Sequence, residues 1–208
     1  MNTTFTSVGI VGTGAMGRGI AQIAAQAGST VYLFDTKPGA AEAAKAHLQQ
    51  QWQRLADKGR IEPAQVAPWS GRLVPVAALR ELAACELVLE AIVERLDAKQ
   101  ALLLELEALV APEAVLASNT SSLSITALAA PLRHPGRVAG FHFFNPVPLM
   151  KVVEVVAGLR TAPDVCTRLM GYARAMGHAP VMAQDTPGFI VNHAGRGYGT
   201  EALRIVSE

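Results

Sequence analysis

Val8-Gly9-Ile10-Val11-Gly12-Thr13-Gly14-Ala15-Met16-Gly17 joins an apolar run directly to three glycines. Residues 8–11 have the Val/Ile/Gly make-up of a buried parallel strand, bounded by Gly12. Residues 15–27 follow with helix formers and stop at Gly28, a residue suited to the left-handed position that ends a helix. Residues 30–34 make the next β-rich run. Strand, helix and strand together occupy about thirty residues, the size of a parallel crossover unit.

In that setting Gly12, Gly14 and Gly17 form a GxGxxG at a strand-to-helix turn. The first glycine allows the tight turn, the second lets the backbone approach a pyrophosphate, and the third permits close helix–strand packing. The helix start at Ala15 and Met16 offers free N–H groups and a positive dipole end to phosphates. Asp35 lies 18 residues past Gly17, at the end of the second strand. A carboxylate there accepts hydrogen bonds from ribose hydroxyls and repels a 2′-phosphate. NAD is favoured over NADP on this ground, although Lys37 stands close enough to blur the preference.

The alternation continues along the chain. Helices are expected at 38–58, with Pro38 in the first turn and Gly59 at the end, and at 96–110, 125–130 and 164–176. Strands are expected at 87–93, 114–117, 137–144, 152–156 and 179–183. The pattern predicts an α/β protein whose residues 1–185 form a Rossmann-type, doubly wound, mostly parallel sheet. Asp185-Thr186-Pro187 reads as a helix start, a capping side chain ahead of proline in the first turn. That helix continues through Ile190, Ala194, Tyr198, Leu203 and Val206 without a C-cap. Residues 186–208 are therefore expected to be the first helix of a C-terminal helical domain, incomplete in this chain.

Composition excludes several classes. With 208 residues, 50% hydrophobic, the chain can bury a substantial core. A formal net charge of +1 gives no footprint for nucleic acid or an anionic membrane. Residues 1–7 have neither the basic start nor the apolar run of a signal peptide, and no apolar stretch is long enough to span a bilayer. A cytoplasmic location is expected. Cys85 and Cys166 read as buried thiols of a reducing compartment. His47, His134 and His178 read as surface or turn residues, and no spacing suggests a metal site.

Three segments carry the remaining chemistry: Ala117-Ser118-Asn119-Thr120-Ser121-Ser122, His142-Phe143-Phe144-Asn145-Pro146-Val147-Pro148, and Asp185-Thr186-Pro187-Gly188-Phe189-Ile190-Val191-Asn192. Each follows or closes an expected strand, and the carboxyl ends of strands line the ligand crevice of a doubly wound sheet. Glu154 stands alone in the apolar run Val152-Val153-Glu154-Val155-Val156, where a buried carboxylate needs a partner. Together with Glu90-Ala91-Ile92-Val93-Glu94, these strings resemble the L-3-hydroxyacyl-CoA dehydrogenase family over essentially the whole chain. Members of that family continue into a helical domain that supports dimerisation.

The resemblance implies an NAD-dependent oxidation of (S)-3-hydroxyacyl-CoA to 3-oxoacyl-CoA in fatty-acid or aromatic-acid degradation. It implies His142 as general base and Glu154 as its partner, a sound pairing for taking a hydroxyl proton while hydride leaves carbon. It implies Ser121 and Asn192 as polar partners of the substrate oxygen, although Ser121 also reads as a helix cap and Asn192 as an exposed helix residue. Glu94, Lys99 and Asn145, with Ser121, match positions near the nicotinamide; Lys99 reads equally as an ordinary surface lysine. Lys58 matches a coenzyme A contact, or else simply belongs to a solvated helix face. Gln51 stands where the family has a serine, so that role is not carried over. His193 stands where the family more often has Arg. A homodimer is implied for full-length members. Two alternatives stay open: a nucleotide-binding fragment with little turnover of its own, and a dehydrogenase of free hydroxy acids.

Overall fold

A computed structural model describes residues 5–208; of the segment 1–7 read above for a signal peptide, residues 1–4 lie outside the described residues. One eight-stranded sheet organises the chain. In sequence order the strands are β1 (Ser7–Val11), β2 (Thr30–Phe34), β3 (Leu73–Pro75), β4 (Leu87–Glu90), β5 (Val115–Ser118), β6 (Val138–Phe143), β7 (Val152–Ala157) and β8 (Ala179–Gln184). They lie in the order β3-β2-β1-β4-β5-β6-β7-β8. Every pairing is parallel except β6 with β7. The helices are α1 (Ala15–Gln26), α2 (Ala40–Asp57), α3 (Val66–Gly71), α4 (Leu96–Leu109), α5 (Ile125–Ala129), α6 (Pro163–Ala175) and α7 (Val191–Ser207).

The period of two along each strand sorts the core into two layers. Val8, Ile10, Leu87, Leu89, Phe141, Val153 and Val155 face one layer, with Ile20 of α1, Trp52 of α2 and Tyr172 of α6 packed on them. Val88, Leu116, Val138 and Val156 face the other, under Leu103 of α4, Leu128 of α5 and Phe189. Each fully buried Leu, Ile or Phe contributes roughly 1.5–3 kcal/mol of transfer free energy, so both faces must be covered. β1 sits between β2 and β4, where the strand order reverses; this switch point is where such sheets open a crevice.

Four local expectations need correction. No strand is expected between residues 58 and 87, yet β3 forms at the sheet edge. It has three residues and ends in Pro75, too short to leave a period and tolerable only at an edge. The strand expected at 87–93 stops at Glu90, because the chain peels off where the Glu90 carboxylate accepts the Ile92 N–H at 3.1 Å. Helix α2 starts two residues after Pro38, behind Gly39 with φ 77°. The last helix begins at Val191 rather than beside Pro187, because Gly188 (φ 78°) and Phe189 (φ 51°) turn the chain first.

His178 is also not a surface residue. It is 5% exposed, with Nε2 3.0 Å from the Val147 carbonyl oxygen and Nδ1 3.2 Å from that of Met176. Cys85 and Cys166 are free and buried. No helix among the described residues is long and apolar enough to cross a membrane, and none of their His, Cys, Asp and Glu clusters could hold a metal ion.

Candidate active site

The glycine turn has the geometry its spacing implies. Gly12 adopts φ 91°, and a Cβ there would come within 2.7 Å of the Ala91 carbonyl oxygen. At Gly17 a Cβ would lie 1.8 Å from the Gly12 oxygen, so only glycine lets α1 start this close to β1. Gly14 differs: nothing lies within 4 Å of a Cβ built there. It leaves open space over the first turn of α1, which no side chain caps and which includes Ala15 and Met16. Uncapped N–H groups facing a hollow of this kind suit a pyrophosphate. The residues present therefore fit a dinucleotide.

Asp35 follows β2 and holds the turn itself. Its Oδ2 accepts the Thr13 N–H at 2.7 Å and the Thr13 hydroxyl at 2.8 Å, and Oδ1 accepts the Lys37 N–H at 3.0 Å. Partial burial pushes its pKa up, but those hydrogen bonds and the Lys37 charge outweigh it and hold the carboxyl below its usual value. Oδ2 is saturated by its two bonds, while Oδ1 keeps a lone pair for a ribose hydroxyl.

At the other end of the sheet the single antiparallel pairing brings the two key side chains together. In the β6–β7 register His142 lies directly opposite Glu154, and directly opposed residues project to the same face. Nδ1 of His142 is 2.6 Å from Glu154 Oε2. Glu154 Oε1 accepts the N–H groups of Ile190 and Val191, each at 2.9 Å. With both carboxylate oxygens accepting, Nδ1 is the donor and Nε2 carries the free lone pair. His142 is only 4% exposed, its ring packed against Phe144 and Phe189 at centroid distances of 4.5 and 5.7 Å. Nε2 has no hydrogen-bond partner among the described residues.

The same Glu154 contacts fix the start of α7, and with it Asn192. Asn192 Nδ2 reaches the Ser121 carbonyl oxygen at 3.4 Å. Ser121 lies in the loop after β5, gathered by one carboxylate: Glu94 Oε1 accepts the Thr120 hydroxyl at 2.6 Å and the Ser121 N–H at 2.9 Å. Burial raises the Glu94 pKa, but these bonds and Lys99 outweigh it and hold it low. Lys99 is 1% exposed, and Nζ donates to both Glu90 oxygens at 2.8 and 2.7 Å and lies 3.4 Å from Glu94. The surface-lysine reading is therefore excluded. Asn145 is exposed, on a cis Asn145–Pro146 peptide just beyond β6. Lys58 caps the far end of α2, exposed and apart from the His142 cluster.

Sequence reasoning missed three anchoring residues. Glu90 is fully buried among Lys99, Ser118 and the Ile92 N–H. The signal that singled out Glu154, a carboxylate inside an apolar strand, applies equally to it. Asn119 accepts the Phe143 N–H at 2.9 Å and ties β5 to the residue after His142. Asp185 caps not its own helix but α5, accepting the N–H groups of Ile125 and Thr126 and the Ser124 hydroxyl, all at 2.8 Å. Ser124, not Ser121, is the residue at the N-cap of α5.

Comparison with known proteins agrees with this geometry. Residues 7–186 match the family model described as 3-hydroxyacyl-CoA dehydrogenase, NAD binding domain. The chain is 43% identical over 202 residues to the 3-hydroxyadipyl-CoA dehydrogenase of Escherichia coli K12, covering 97% of this chain and 42% of that protein. It is 41% identical over 199 residues to a probable 3-hydroxybutyryl-CoA dehydrogenase of Bacillus subtilis, covering 96% of this chain and 69% of the relative. Among solved structures, a 3-hydroxybutyryl-CoA dehydrogenase from Escherichia coli K12 superposes with a TM-score of 0.95 at 42% identity, over 98% of this chain and 43% of that one. The chain thus spans less than half the length of these Escherichia coli relatives.

Proposed function

The chain belongs to the 3-hydroxyacyl-CoA dehydrogenase family through its NAD-binding domain, and on that premise we propose that it oxidises the 3-hydroxyl of a 3-hydroxyacyl-CoA with NAD. The observation that carries this reading is the buried His142–Glu154 pair with Nε2 left without a partner. In this reading Nε2 takes the hydroxyl proton. Glu154 holds the ring in the tautomer that makes this possible and stabilises the imidazolium that results. Ser121 and Asn192 hold the substrate oxygen, each placed by a carboxylate, Glu94 and Glu154 respectively.

The chemistry that NAD supplies when bound is acceptance of a hydride from the carbinol carbon. The uncapped N–H groups at Gly14, Ala15 and Met16 would hold its pyrophosphate, and Asp35 its ribose. Glu94, Ser121 and Asn145 would stand beside the nicotinamide, with Lys99 acting through Glu94 because it is sealed from solvent. Lys58 would meet the coenzyme A portion of the substrate. Helix α7 has no buried residue and exposes Tyr198, Leu203, Ile205 and Val206. This supports a division after residue 185, with α7 opening a helical unit that completes the cleft.

The test is an NADH titration followed by oxidation of 3-hydroxybutyryl-CoA and a longer 3-hydroxyacyl-CoA, read by absorbance. Turnover that disappears in His142→Ala while NADH still binds supports the assignment. Oxidation of the free hydroxy acid but not its thioester would overturn the substrate, and absence of NADH binding would overturn the whole reading.

A further inference from the structure

Besides His142, His178 is the only buried histidine among the described residues, and the hydroxyl chemistry does not use it. It stands in the turn between α6 and β8. Its backbone is fixed on both sides. Its own N–H donates to the Ala173 carbonyl at 2.9 Å, and the next N–H, of Ala179, to that of Lys151 at 2.7 Å. From this anchor the ring reaches two carbonyl oxygens: Met176 of the same turn at 3.2 Å, and Val147, 31 residues away in the chain, at 3.0 Å. A carbonyl oxygen can only accept, so Nε2 is the donor toward Val147. The ring also meets Phe143 of β6 edge-on, with centroids 5.6 Å apart.

Val147 belongs to the loop of residues 145–149, which leaves the His142 strand and begins with Asn145. Among the described residues, the bond to His178 is the only hydrogen bond that joins this loop to another element. The N–H groups of Leu149 and Met150 turn back on the Pro146 carbonyl, each at 3.0 Å. Val147 is gripped from two sides. Its carbonyl meets His178, and its side chain lies against Gly19 of α1, where a Cβ would come within 2.9 Å of it. Helix α1 is the one whose uncapped first turn suits the pyrophosphate, and Ala15 of that turn and Asn145 border one hollow. Apart from the chain itself, the placement of Asn145 against α1 rests on one packing contact and one hydrogen bond, both at Val147.

We propose that His178 is a positioning residue for the nicotinamide. By donating from Nε2 to the Val147 carbonyl it keeps Val147 seated on Gly19, and so keeps Asn145 at the nicotinamide end of a dinucleotide held on α1. The inference rests on the NAD-dependent reading above and adds to it a residue that acts only through Val147. Val147 is 1% exposed, so without the donor its carbonyl is left unpaired and away from water. The loop then shifts to satisfy it and carries Asn145 along. A displacement of about 1 Å in a positioning group can cost about 100-fold in rate, while the contacts to the pyrophosphate and ribose keep their binding energy.

The test compares His178→Leu, which keeps the bulk and removes the donor, with His178→Gln, which returns an N–H near the Nε2 position. Gly19→Ala pushes Val147 from the opposite side and leaves His178 intact. NADH affinity is measured for each, with the time-resolved anisotropy of bound NADH, which reads how freely the nicotinamide turns. In the wild-type chain the bound ring is expected to turn only with the protein. His178→Leu and Gly19→Ala should keep NADH affinity but add a fast depolarising component. Their kcat on 3-hydroxybutyryl-CoA should fall by about 10- to 100-fold at unchanged KM for NAD. His178→Gln should behave like wild type. A slow ring in His178→Leu overturns the proposal, as does a fast component already present in wild type. Parallel losses of affinity, kcat and melting temperature that glutamine does not restore make His178 a packing residue and overturn it equally. Should His178→Leu fail to fold, Gly19→Ala decides, and a slow ring there overturns the proposal. A wild-type chain that binds NADH but leaves the thioester unoxidised sinks the substrate reading, while the anisotropy still judges His178. Absence of NADH binding sinks both.

Discussion

Glu90 and Glu154 are the same residue in the same kind of place, a carboxylate inside an apolar strand with 0% exposure. Both accept a backbone N–H, and both pair with a nitrogen side chain. They differ in what is left over. Around Glu90 the partner is Lys99, itself 1% exposed, and its ammonium is spent on Glu90, the Ile92 carbonyl and Glu94. Around Glu154 the partner is an imidazole that uses one nitrogen and keeps the other. Burial of charge by itself builds structure. A buried pair becomes chemistry only when one polar atom remains unspent and reachable.

That contrast can be broken from either side. The largest effect is expected at the leftover nitrogen: His142→Ala should lower kcat by about 10²–10⁴-fold with NADH affinity, followed by fluorescence, unchanged. Near-normal turnover would show that the free nitrogen is not the base. Next, Lys99→Met leaves a carboxylate buried without its cation and should cost about 3–5 kcal/mol of stability. Urea unfolding measures this, and adding Glu90→Gln to the same chain should restore part of the loss. If the single variant unfolds like wild type, the pair is not structural.

Glu154→Gln tests whether the glutamate that holds His142 is also an anchor. It keeps the volume but weakens the hold on the imidazole, and a fall in kcat of roughly 10- to 100-fold is expected by analogy with other side chains that orient a functional histidine. Because Ile190 and Val191 also rely on that carboxylate, protease cleavage near residues 188–191 should speed up in the same variant. A kcat defect with unchanged cleavage would separate the two roles.

The smallest effect belongs to Asp185, an acid that resembles neither glutamate because it is half exposed and pairs with no cation. Asp185→Asn should lower stability by about 1 kcal/mol through the weakened α5 cap. Burial raises the Asp185 pKa, but its hydrogen bonds to Thr126, Ser124 and Ile125 outweigh it and leave the value lowered. A depressed carboxylate stabilises the fold above its unfolded pKa, about 3.9, and that contribution is lost as pH falls through the folded value. The gap in melting temperature between wild type and Asp185→Asn should therefore be full at pH 6 and close toward pH 3. A gap that widens on acidification would contradict the assignment.

Much of this architecture can be read locally. Gly12 and Gly17 declare themselves because a side chain at either would collide with backbone at the strand-to-helix turn, and Gly14 because it completes their spacing. The strands from β4 to β7 show as apolar runs because both faces of the sheet are covered there. His142 and Glu154 stand out as polar residues in apolar strands. β3 leaves no such mark, since three residues at an edge, one of them proline, carry no period. Glu90 carries the same mark as Glu154, but its meaning depends on where Lys99 points, and a helix periodicity leaves the facing of a single lysine at a helix start undetermined.

The sequence by itself therefore determined the order and type of the main elements, the glycine turn between β1 and α1, and the presence of two polar residues, His142 and Glu154, inside apolar strands. These depend on backbone sterics and on side-chain periods that act within a few residues. Only the tertiary structure decided that His142 and Glu154 face each other across the antiparallel β6–β7 pairing, that Asp185 caps α5 across 60 residues of chain, and that Lys99 is sealed. Such contacts join residues from separate elements. Their geometry follows from how the sheet and its helices pack, which no local pattern encodes.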